Sequence, residues 1–375
     1  RSGSETLSIS GSGSIDTAIA GSGKSISLGT LQLVDGSGSA SNYSLASGTF
    51  TVNSRQLNVS GSRIYDNTTV VNGADLVVNT GVGSELITLT GQGAVSNANV
   101  GNNKSVTQNT LNLISASGNA SNYSMGSITL NITKRPVNIS LEKVYNGTLD
   151  APATGLKVNG ISNTVGGQTL TLSGVGQMQD KNVGVGKIIA NNNSLSLGNG
   201  SGLASNYSIT SNSFDITQRW VTLSGTRSYN GTTTVNNGDL TVGNLVGTET
   251  LSLSGSGTVV SKDVGSNKSV TDVSFALGNN TGLATNYTIG TKTFNITQQA
   301  VTIDGSKVYD GNTTVAATDV STFNGLALTE TLTVNGSGSI STPQVGTNKS
   351  LTLGTLSIAD GSNGGKASNY SLSSG

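Results

Sequence analysis

The chain has 375 residues, of which 52 are glycine and none is cysteine or histidine. Its 19 basic residues balance its 19 acidic ones, so we expect no nucleic acid or anionic membrane as partner. The lack of Cys and His excludes disulfides and Cys-ligated zinc, and removes the commonest general base and transition-metal ligand. Apolar runs are short, so no membrane-spanning segment is predicted.

A repeat of roughly 80 residues organises the chain. One set of tyrosines, here called the corner tyrosines, lies in I-Y-D-N, V-Y-N-G, S-Y-N-G and V-Y-D-G: Tyr65, Tyr145, Tyr229 and Tyr309. A second set, the loop tyrosines, lies in N-Y-S or N-Y-T: Tyr43, Tyr123, Tyr207, Tyr287 and Tyr370. The spacing between successive tyrosines of each set predicts complete repeats at 55–134, 135–218 and 219–298, with partial repeats at 1–54 and 299–375.

Each repeat begins with strand-like sequence, and the preceding repeat runs into it without a flexible spacer, as in Asn131–Ile139. Alternating apolar and small polar residues, as in Val221–Ser224 and Leu251–Ser254, predict half-buried strands. Clusters such as Asn236–Asp239 predict turns. We expect about six or seven strands per repeat and a stiff array.

The fold class that follows is all-β, a tandem array of ~80-residue Ig-like β-sandwich modules that forms an elongated rod. A β-solenoid of about four coils per repeat is the alternative. The absence of a sub-period of about 20 residues favours discrete modules.

The corner tyrosine follows the first strand and precedes a tight turn of Asp or Asn with Gly. Tyr offers a large apolar ring and a hydroxyl that needs a partner. The motif therefore predicts a ring packed over the module end, with an aromatic platform for a ligand such as a sugar as the alternative.

Farther along each repeat, an acidic or amide residue precedes a strand, and a lysine follows a small glycine-containing loop. The first series is Glu5, Glu85, Gln168, Glu249 and Glu330. The second series is Lys24, Lys104, Lys187, Lys268 and Lys349. A strand rather than a helix follows each lysine, which argues against a phosphate-binding loop. A surface salt bridge is expected, and a Lys–Asn isopeptide crosslink is the alternative.

The N-Y-S/T motif predicts a tyrosine buried at a strand edge and an asparagine that caps the preceding loop. It also matches the acceptor pattern for N-glycosylation at Asn122, Asn206 and Asn286. Scattered acids suggest calcium between modules as the one cofactor to consider, although no dense D-x-D-x-D-G loop is present. These acids are Asp180, Asp263, Asp310 and Asp360.

Four motifs in one order carry a family resemblance. They are K-V-Y-D-G-N-T-T (Lys307–Thr314), E-T-L-T-V-N-G-S-G (Glu330–Gly338), V-G-T-N-K-S-L-T-L (Val345–Leu353) and A-S-N-Y-S-L (Ala367–Leu372). The chain resembles the YDG/MBG-type repeats of filamentous-haemagglutinin-like adhesins. The chain departs from the family pattern at three kinds of position. Asn replaces Asp in two of the corners, Asn67 follows Asp66 where Gly is usual, and Gln168 stands in place of Glu.

The resemblance implies a secreted protein of a Gram-negative bacterium, exported by two-partner secretion and anchored at the outer membrane. It implies no catalytic residues and a stalk that spaces a binding tip, or a biofilm fibre. The expected partners are neighbouring repeats, other copies of the chain, and a polysaccharide or host surface reached through a region outside this sequence. The alternatives are weak multivalent glycan binding, self-association through strand edges and an enzyme. The enzyme is disfavoured because no repeat carries unusual acids for catalysis.

Overall fold

Ser and Thr alternate with Val, Leu and Ile along most of the chain, and this period of two places one face of each strand in a core. The computed structural model describes residues 3–191 and 194–374, apart from the side chain of Asp272. Within these ranges the regular structure consists of strands and short 3-10 turns, which confirms the all-β prediction. No helix in them is long and apolar enough to cross a membrane.

The predicted partial repeat 1–54 contains five strands: β1 (Leu7–Ser10), β2 (Ser14–Ile15), β3 (Gly21–Ser27), β4 (Gln32–Asp35) and β5 (Thr49–Val52). The repeat 55–134 contains eight: β6 (Arg55–Ile64), β7 (Val70–Asn72), β8 (Leu76–Val78), β9 (Ile87–Thr90), β10 (Gln92–Val95), β11 (Gly101–Thr107), β12 (Asn112–Ser115) and β13 (Tyr123–Thr133).

The repeat 135–218 contains β14 (Arg135–Val144), β15 (Asp150–Pro152), β16 (Leu156–Ser162), β17 (Leu170–Ser173), β18 (Val175–Met178), β19 (Gly184–Lys187), β20 (Ile189–Asn191), β21 (Ser196–Asn199) and β22 (Tyr207–Thr217). The repeat 219–298 contains β23 (Arg219–Ser228), β24 (Thr234–Asn236), β25 (Leu240–Gly243), β26 (Leu251–Ser254), β27 (Ser256–Val259), β28 (Gly265–Asp272), β29 (Ala276–Asn279) and β30 (Tyr287–Thr297).

The last partial repeat, 299–375, contains β31 (Gln299–Gly305), β32 (Thr314–Ala316), β33 (Val320–Asn324), β34 (Leu332–Asn335), β35 (Ser337–Ile340), β36 (Leu351–Thr352), β37 (Ser357–Asp360) and β38 (Tyr370–Leu372). The 3-10 turns are Ala40–Asn42, Gly73–Asp75, Ala120–Asn122, Ala153–Gly155, Ala204–Asn206, Asn237–Asp239, Ala284–Asn286, Ala317–Asp319 and Ala367–Asn369.

The repeats 55–134 and 219–298 share one topology. A six-stranded curled sheet has the order β7-β10-β11-β13-β6-β8 in one and β24-β27-β28-β30-β23-β25 in the other. A two-stranded ribbon, β9–β12 or β26–β29, accompanies it. Every strand of each sheet comes from its own repeat, which supports tandem modules and disfavours the solenoid, whose coils pair with the next coil.

The first and last strands of a repeat are parallel neighbours inside the sheet. β6 pairs with β13, and β23 pairs with β30, each over nine registered residue pairs and with one irregularity. The other sheet pairings in these two repeats are antiparallel. Each repeat has eight or nine strands in place of the expected six or seven, because three-residue strands such as β7 and β24 are too short to show alternation.

The structure divides into two compact units: Arg1–Leu141, Pro152–Gly176 and Asn192–Asn212 in unit 1, and Glu142–Ala151, Gln177–Asn191 and Ser213–Gly375 in unit 2. Strand pairs β14–β16 and β17–β21 belong to unit 1, and the registered pairs of β18–β20 and β19–β22 belong to unit 2. The boundaries at residues 54/55, 134/135, 218/219 and 298/299 stay a prediction.

Each unit has a core built by alternate positions of its long strands. In unit 2, Val221, Leu223 and Phe294 are fully buried. In unit 1, Leu57, Val59 and Leu130 occupy the corresponding places and are at most 2% exposed. The partial repeats are smaller: β1–β4 and β2-β3-β5 in the first, and β33-β31-β38, β32-β35-β36 and β34–β37 in the last.

Candidate functional site

Tyr65, Tyr145 and Tyr229 each follow the first strand of their repeat, beside the end of the last strand. Because the two strands are parallel, their carboxyl ends coincide. The Tyr65 N–H donates to the carbonyl of Thr133 at 2.9 Å, and Tyr229 N–H donates to the carbonyl of Thr297 at 2.8 Å. The corner is thereby fixed where the chain leaves the repeat.

The residue after the corner tyrosine closes the turn through one acceptor oxygen. Asp66 Oδ1 accepts from the backbone N–H and the hydroxyl of Thr68, both at 3.0 Å. Asn146 Oδ1 accepts from the same groups of Thr148 at 3.1 and 3.0 Å. An Asx turn needs only this oxygen, so Asn replaces Asp without changing the turn.

Asn67 has φ 64, the left-handed conformation that Gly147 adopts at φ 77. Asn is one of the few residues that tolerate this region. The departures from the repeat pattern at the corners therefore leave the backbone geometry intact.

Each buried corner tyrosine packs edge-to-face against the loop tyrosine of the following repeat. The ring centroids are 5.4 Å apart, with interplanar angles of 80°, 78° and 79°. The three pairs are Tyr65–Tyr207, Tyr145–Tyr287 and Tyr229–Tyr370. Such aromatic pairs contribute about 0.5–1.5 kcal/mol beyond their area burial. We call each pair, with the acidic or amide residue described next, a joint.

An acidic residue from the following repeat binds both hydroxyls of the joint. The hydroxyls of Tyr229 and Tyr370 donate to Glu330 Oε1 and Oε2, each at 2.7 Å. The hydroxyls of Tyr145 and Tyr287 donate to Glu249 at 2.7 and 2.5 Å. Glu330 is 4% exposed, so the joint is a desolvated network whose polar groups satisfy one another.

The joint with Gln168 keeps this arrangement without a charge. The Tyr207 hydroxyl donates to Gln168 Oε1 at 2.5 Å, and Gln168 Nε2 donates to the Tyr65 hydroxyl at 3.1 Å. The Tyr65 hydroxyl can then donate to Asn67 Oδ1 at 3.0 Å. A side-chain amide offers both a donor and an acceptor, which explains how Gln stands where the other joints have Glu.

Several groups in the two charged joints have shifted pKa values. Although burial opposes it, hydrogen bonds from Lys262, Tyr229 and Tyr370 hold the pKa of Glu330 below its usual value. Lys262 Nζ lies 2.5 Å from Glu330 Oε1, and this ion pair raises the pKa of Lys262. Burial, reinforced by the bond to a carboxylate, raises the pKa of Tyr287 and of Tyr370 to about 12. The tyrosines are therefore neutral donors at physiological pH.

The asparagine of the N-Y motif makes a second contact with the preceding repeat. Asn206 Oδ1 accepts from the N–H of Val100 at 2.9 Å, and its Nδ2 donates to Asn99 Oδ1 at 2.9 Å. Asn286 makes the same pair of bonds to Val183 and Asn182. We expected this asparagine to cap the preceding loop; the loop that it holds belongs to the repeat before.

The burial of these amides bears on glycosylation. Asn206 and Asn286 are each 1% exposed, and their donor and acceptor atoms are both used. A glycan at either position would have to displace the amide from a closed contact, which argues against the acceptor hypothesis there in the folded protein. Asn122 is half-buried, and its Oδ1 accepts from the N–H of Ala20 at 2.8 Å.

The loop lysines hold their own loops rather than a common acid. Lys187 pairs with Asp180 at 2.6 Å, as expected. Lys104 instead donates to Asn97 Oδ1 and to the Asn99 carbonyl, and Lys349 donates to the Thr342 hydroxyl. Lys268 lies half-buried in β28. These are exposed or partly exposed contacts of minor energetic weight.

The acids considered for calcium already have partners. Asp180 and Asp310 pair with lysines, Asp263 pairs with Lys366 at 2.7 Å, and Asp360 accepts from the N–H of Ala367. The described residues hold no group of three or more Asp, Glu, His or Cys placed to bind a metal. Calcium stays an untested hypothesis.

The sugar-platform hypothesis requires exposed rings, and most tyrosines do not provide them. The corner tyrosines of the three joints are at most 2% exposed. Tyr43 and Tyr123 donate to Glu5 and Glu85 at 2.8 and 2.6 Å. Tyr309 is 63% exposed, and no loop tyrosine follows Tyr370 in this sequence. Trp220, at 71% exposed, occurs once.

Sequence reasoning identified both tyrosine sets and the acidic series but did not bring them together. The signal was present, because the three series recur with the same step and each joint takes one member from each. The sequence alone did not reveal that the corner belongs to one repeat and its partners to the next.

One protein-family model matches the chain repeatedly. The model of the YDG domain matches four successive segments, residues 51–130, 129–214, 216–294 and 291–375, which cover most of the chain. No curated protein matches the chain significantly.

Proposed function

The chain belongs to the YDG domain family, and we propose that it is the structural stalk or filament-forming repeat region of a bacterial extracellular adhesin. In this proposal the repeats space a binding tip from the cell or build a biofilm fibre. The family membership rests on four tandem matches. The observation that carries the structural role is the joint, which recurs at each of the three places where a corner tyrosine meets the next repeat.

The joint supports a spacer because it leaves little freedom between successive repeats. In the last joint, two buried rings and a two-oxygen bridge hold one repeat to the next. The buried Asn369, which directly precedes Tyr370, adds two hydrogen bonds to the preceding repeat. Gln218 and Gln298, which link two repeats, also donate to carbonyls of the following N-Y loop. A stalk needs this restraint, whereas flexible linkers would let the tip fold back.

We propose that the chain is not an enzyme and needs no cofactor. The recurring buried carboxylates have their oxygens occupied by tyrosine hydroxyls, which leaves them no role as a base toward a substrate. The proposed location is extracellular, at the outer membrane of a Gram-negative cell, with export by two-partner secretion. The proposed partners are neighbouring repeats, further copies of the chain, and a polysaccharide or host surface bound outside this sequence.

The alternative of multivalent glycan binding requires an exposed aromatic ring at the same place in each repeat. The corner tyrosines of the three joints and their partner rings are instead buried. The exposed rings of Trp220 and Tyr309 stand at different positions of their repeats and do not form the recurring series that avidity requires.

Electron microscopy of the purified chain, beside material from the cells that make it, tests the proposal. We expect straight particles beaded at intervals of one repeat. The double variant Glu249→Ala/Glu330→Ala removes the bridging carboxylates of two joints and should bend at those positions. Glu142→Ala, an exposed acid outside the joints, is the control. Wild-type particles that bend freely, or joint variants as straight as the control, would refute the stalk.

A further inference from the structure

The path of the chain through a repeat determines how the repeat meets tension. In the repeat 219–298 the chain enters at the start of β23 and leaves at the end of β30. These two strands are parallel neighbours, and their registered pairs extend from Arg219↔Tyr287 to Ser228↔Thr297. Entry and exit therefore lie at opposite ends of one parallel ladder.

A pull on the two ends of such a repeat slides β23 against β30 along their common axis. All hydrogen bonds of the ladder are then loaded at the same time and must fail together. A pull applied at one end of the ladder instead opens it one bond after another. A single hydrogen bond contributes little by itself, so simultaneous loading separates a strong arrangement from a weak one.

Side chains around the ladder oppose the same sliding motion. Val221 and Leu223 of β23 and Phe294 of β30 are fully buried in the core of unit 2. The Tyr229 N–H adds one more bond, to the Thr297 carbonyl, beyond the last registered pair. The same features recur in the repeat 55–134, where β6 and β13 pair from Tyr123↔Arg55 to Thr133↔Ile64 and Tyr65 adds the final bond.

We propose that each repeat is a mechanical clamp, in which the parallel pair of first and last strands bears tension transmitted along the chain. The clamp lies inside a repeat and is distinct from the joint, which aligns one repeat with the next. It rests on the proposed stalk only for the direction of the force. In the folded protein the chain then withstands a pull along its length much better than a pull that opens the ladder from one end.

Single-molecule pulling on the full chain tests the direction of loading, because the sequence has no cysteine and an introduced one is a unique handle. Pulling between Ser228→Cys and the C-terminus applies force to the coincident ends of β23 and β30, so the repeat peels open. Pulling between Gln218→Cys and the C-terminus loads the same two strands in shear. Both positions are exposed.

We expect the repeat 219–298 to unfold at several-fold lower force in the Ser228→Cys protein than in the Gln218→Cys protein. The last partial repeat, in which β31 and β38 share three registered pairs, lies between both handles and the C-terminus and should give the same event in both proteins. The additional low-force event of the Ser228→Cys protein should release about 70 residues, or roughly 230–250 Å of extended chain. Matching thermal unfolding of the two variants ensures that both are folded. The same number of low-force events in the two geometries, with the repeat 219–298 unfolding at equal force, would overturn the clamp. Neither outcome changes the bending test of the stalk, which reports on the joints.

Discussion

At the level of single residues, the joint depends on tyrosine hydroxyls that donate to a carboxylate or amide away from water. The bonds to a carboxylate are charge-assisted and therefore stronger than the bonds between neutral groups at Gln168. The buried carboxylate also raises the cost of losing a donor, because an unpaired charge in a desolvated site is destabilising.

Tyr229→Phe should therefore lower the free energy of unfolding by about 1–3 kcal/mol, because it removes the hydroxyl that donates to Glu330 but keeps the ring. Urea-induced unfolding measures the change. Tyr309→Phe is the matched control, since that corner tyrosine is 63% exposed and its substitution should change stability by less than about 0.5 kcal/mol. Equal effects at the two positions would show that the joint adds nothing.

The buried tyrosines also predict a loss of stability in alkali. Tyr287 and Tyr370 have a folded-state pKa raised to about 12, against an ordinary value of 10.0. The folded state holds the phenolic proton more tightly, so this stabilisation is complete below pH 10 and is lost between pH 10 and 12. Unfolding followed by circular dichroism as pH rises should show the loss, with tyrosinate absorbance increasing alongside it. Stability that stays constant through this window would contradict the buried hydroxyl network.

At the level of elements, the corner turn has two separate requirements for glycine. Gly231 has φ 76, and a Cβ placed there would come within 2.9 Å of Leu328 Cδ1 from the following repeat. Gly311, the same position in the last repeat, has φ 80 but nothing within 4 Å of such a Cβ. Both positions have the left-handed backbone conformation that strains a residue with a Cβ, but only Gly231 lies close to a side chain of the next repeat.

Gly311→Ala should cost about 1–2 kcal/mol, the strain of a left-handed alanine. Gly231→Ala should cost more, because Leu328 must also move. Thermal unfolding of the two variants measures the difference, which isolates the packing of the corner against the next repeat. Identical losses would mean that the contact contributes no stability.

Strand prediction from the sequence succeeded where alternation extends over four or more residues, as in Val221–Ser224 and Leu251–Ser254. The expected count of six or seven strands per repeat was too low; strands such as β7, β24 and β32 have three residues each, too few to show alternation. The sequence also did not predict that β23 and β30 pair in parallel. Residues 219 and 287 are far apart in the chain, and no local pattern specifies which distant strand a strand will choose.

At the level of the whole molecule, stability has terms within each repeat and terms between neighbours. The core and the parallel ladder belong to single repeats, while the joint needs a corner from one repeat and two residues from the next. This is the nearest-neighbour organisation of repeat proteins. The neutral joint at Gln168 and the charged joint at Glu330 show that the connection can vary in chemistry while its geometry is kept.

The all-β class, the tandem repeat and the positions of the two tyrosine sets can be predicted from the amino-acid sequence, because they depend on local alternation, turn residues and a regular spacing. The folded structure was needed to see that Tyr229, Glu330 and Tyr370 meet, that Asn286 is buried, and that β23 lies beside β30. These contacts join residues roughly 40 to 100 positions apart, beyond the reach of any local pattern. The repeat spacing identifies the residues that occupy the same position in different repeats. Packing and hydrogen bonding determine which of these residues contact one another.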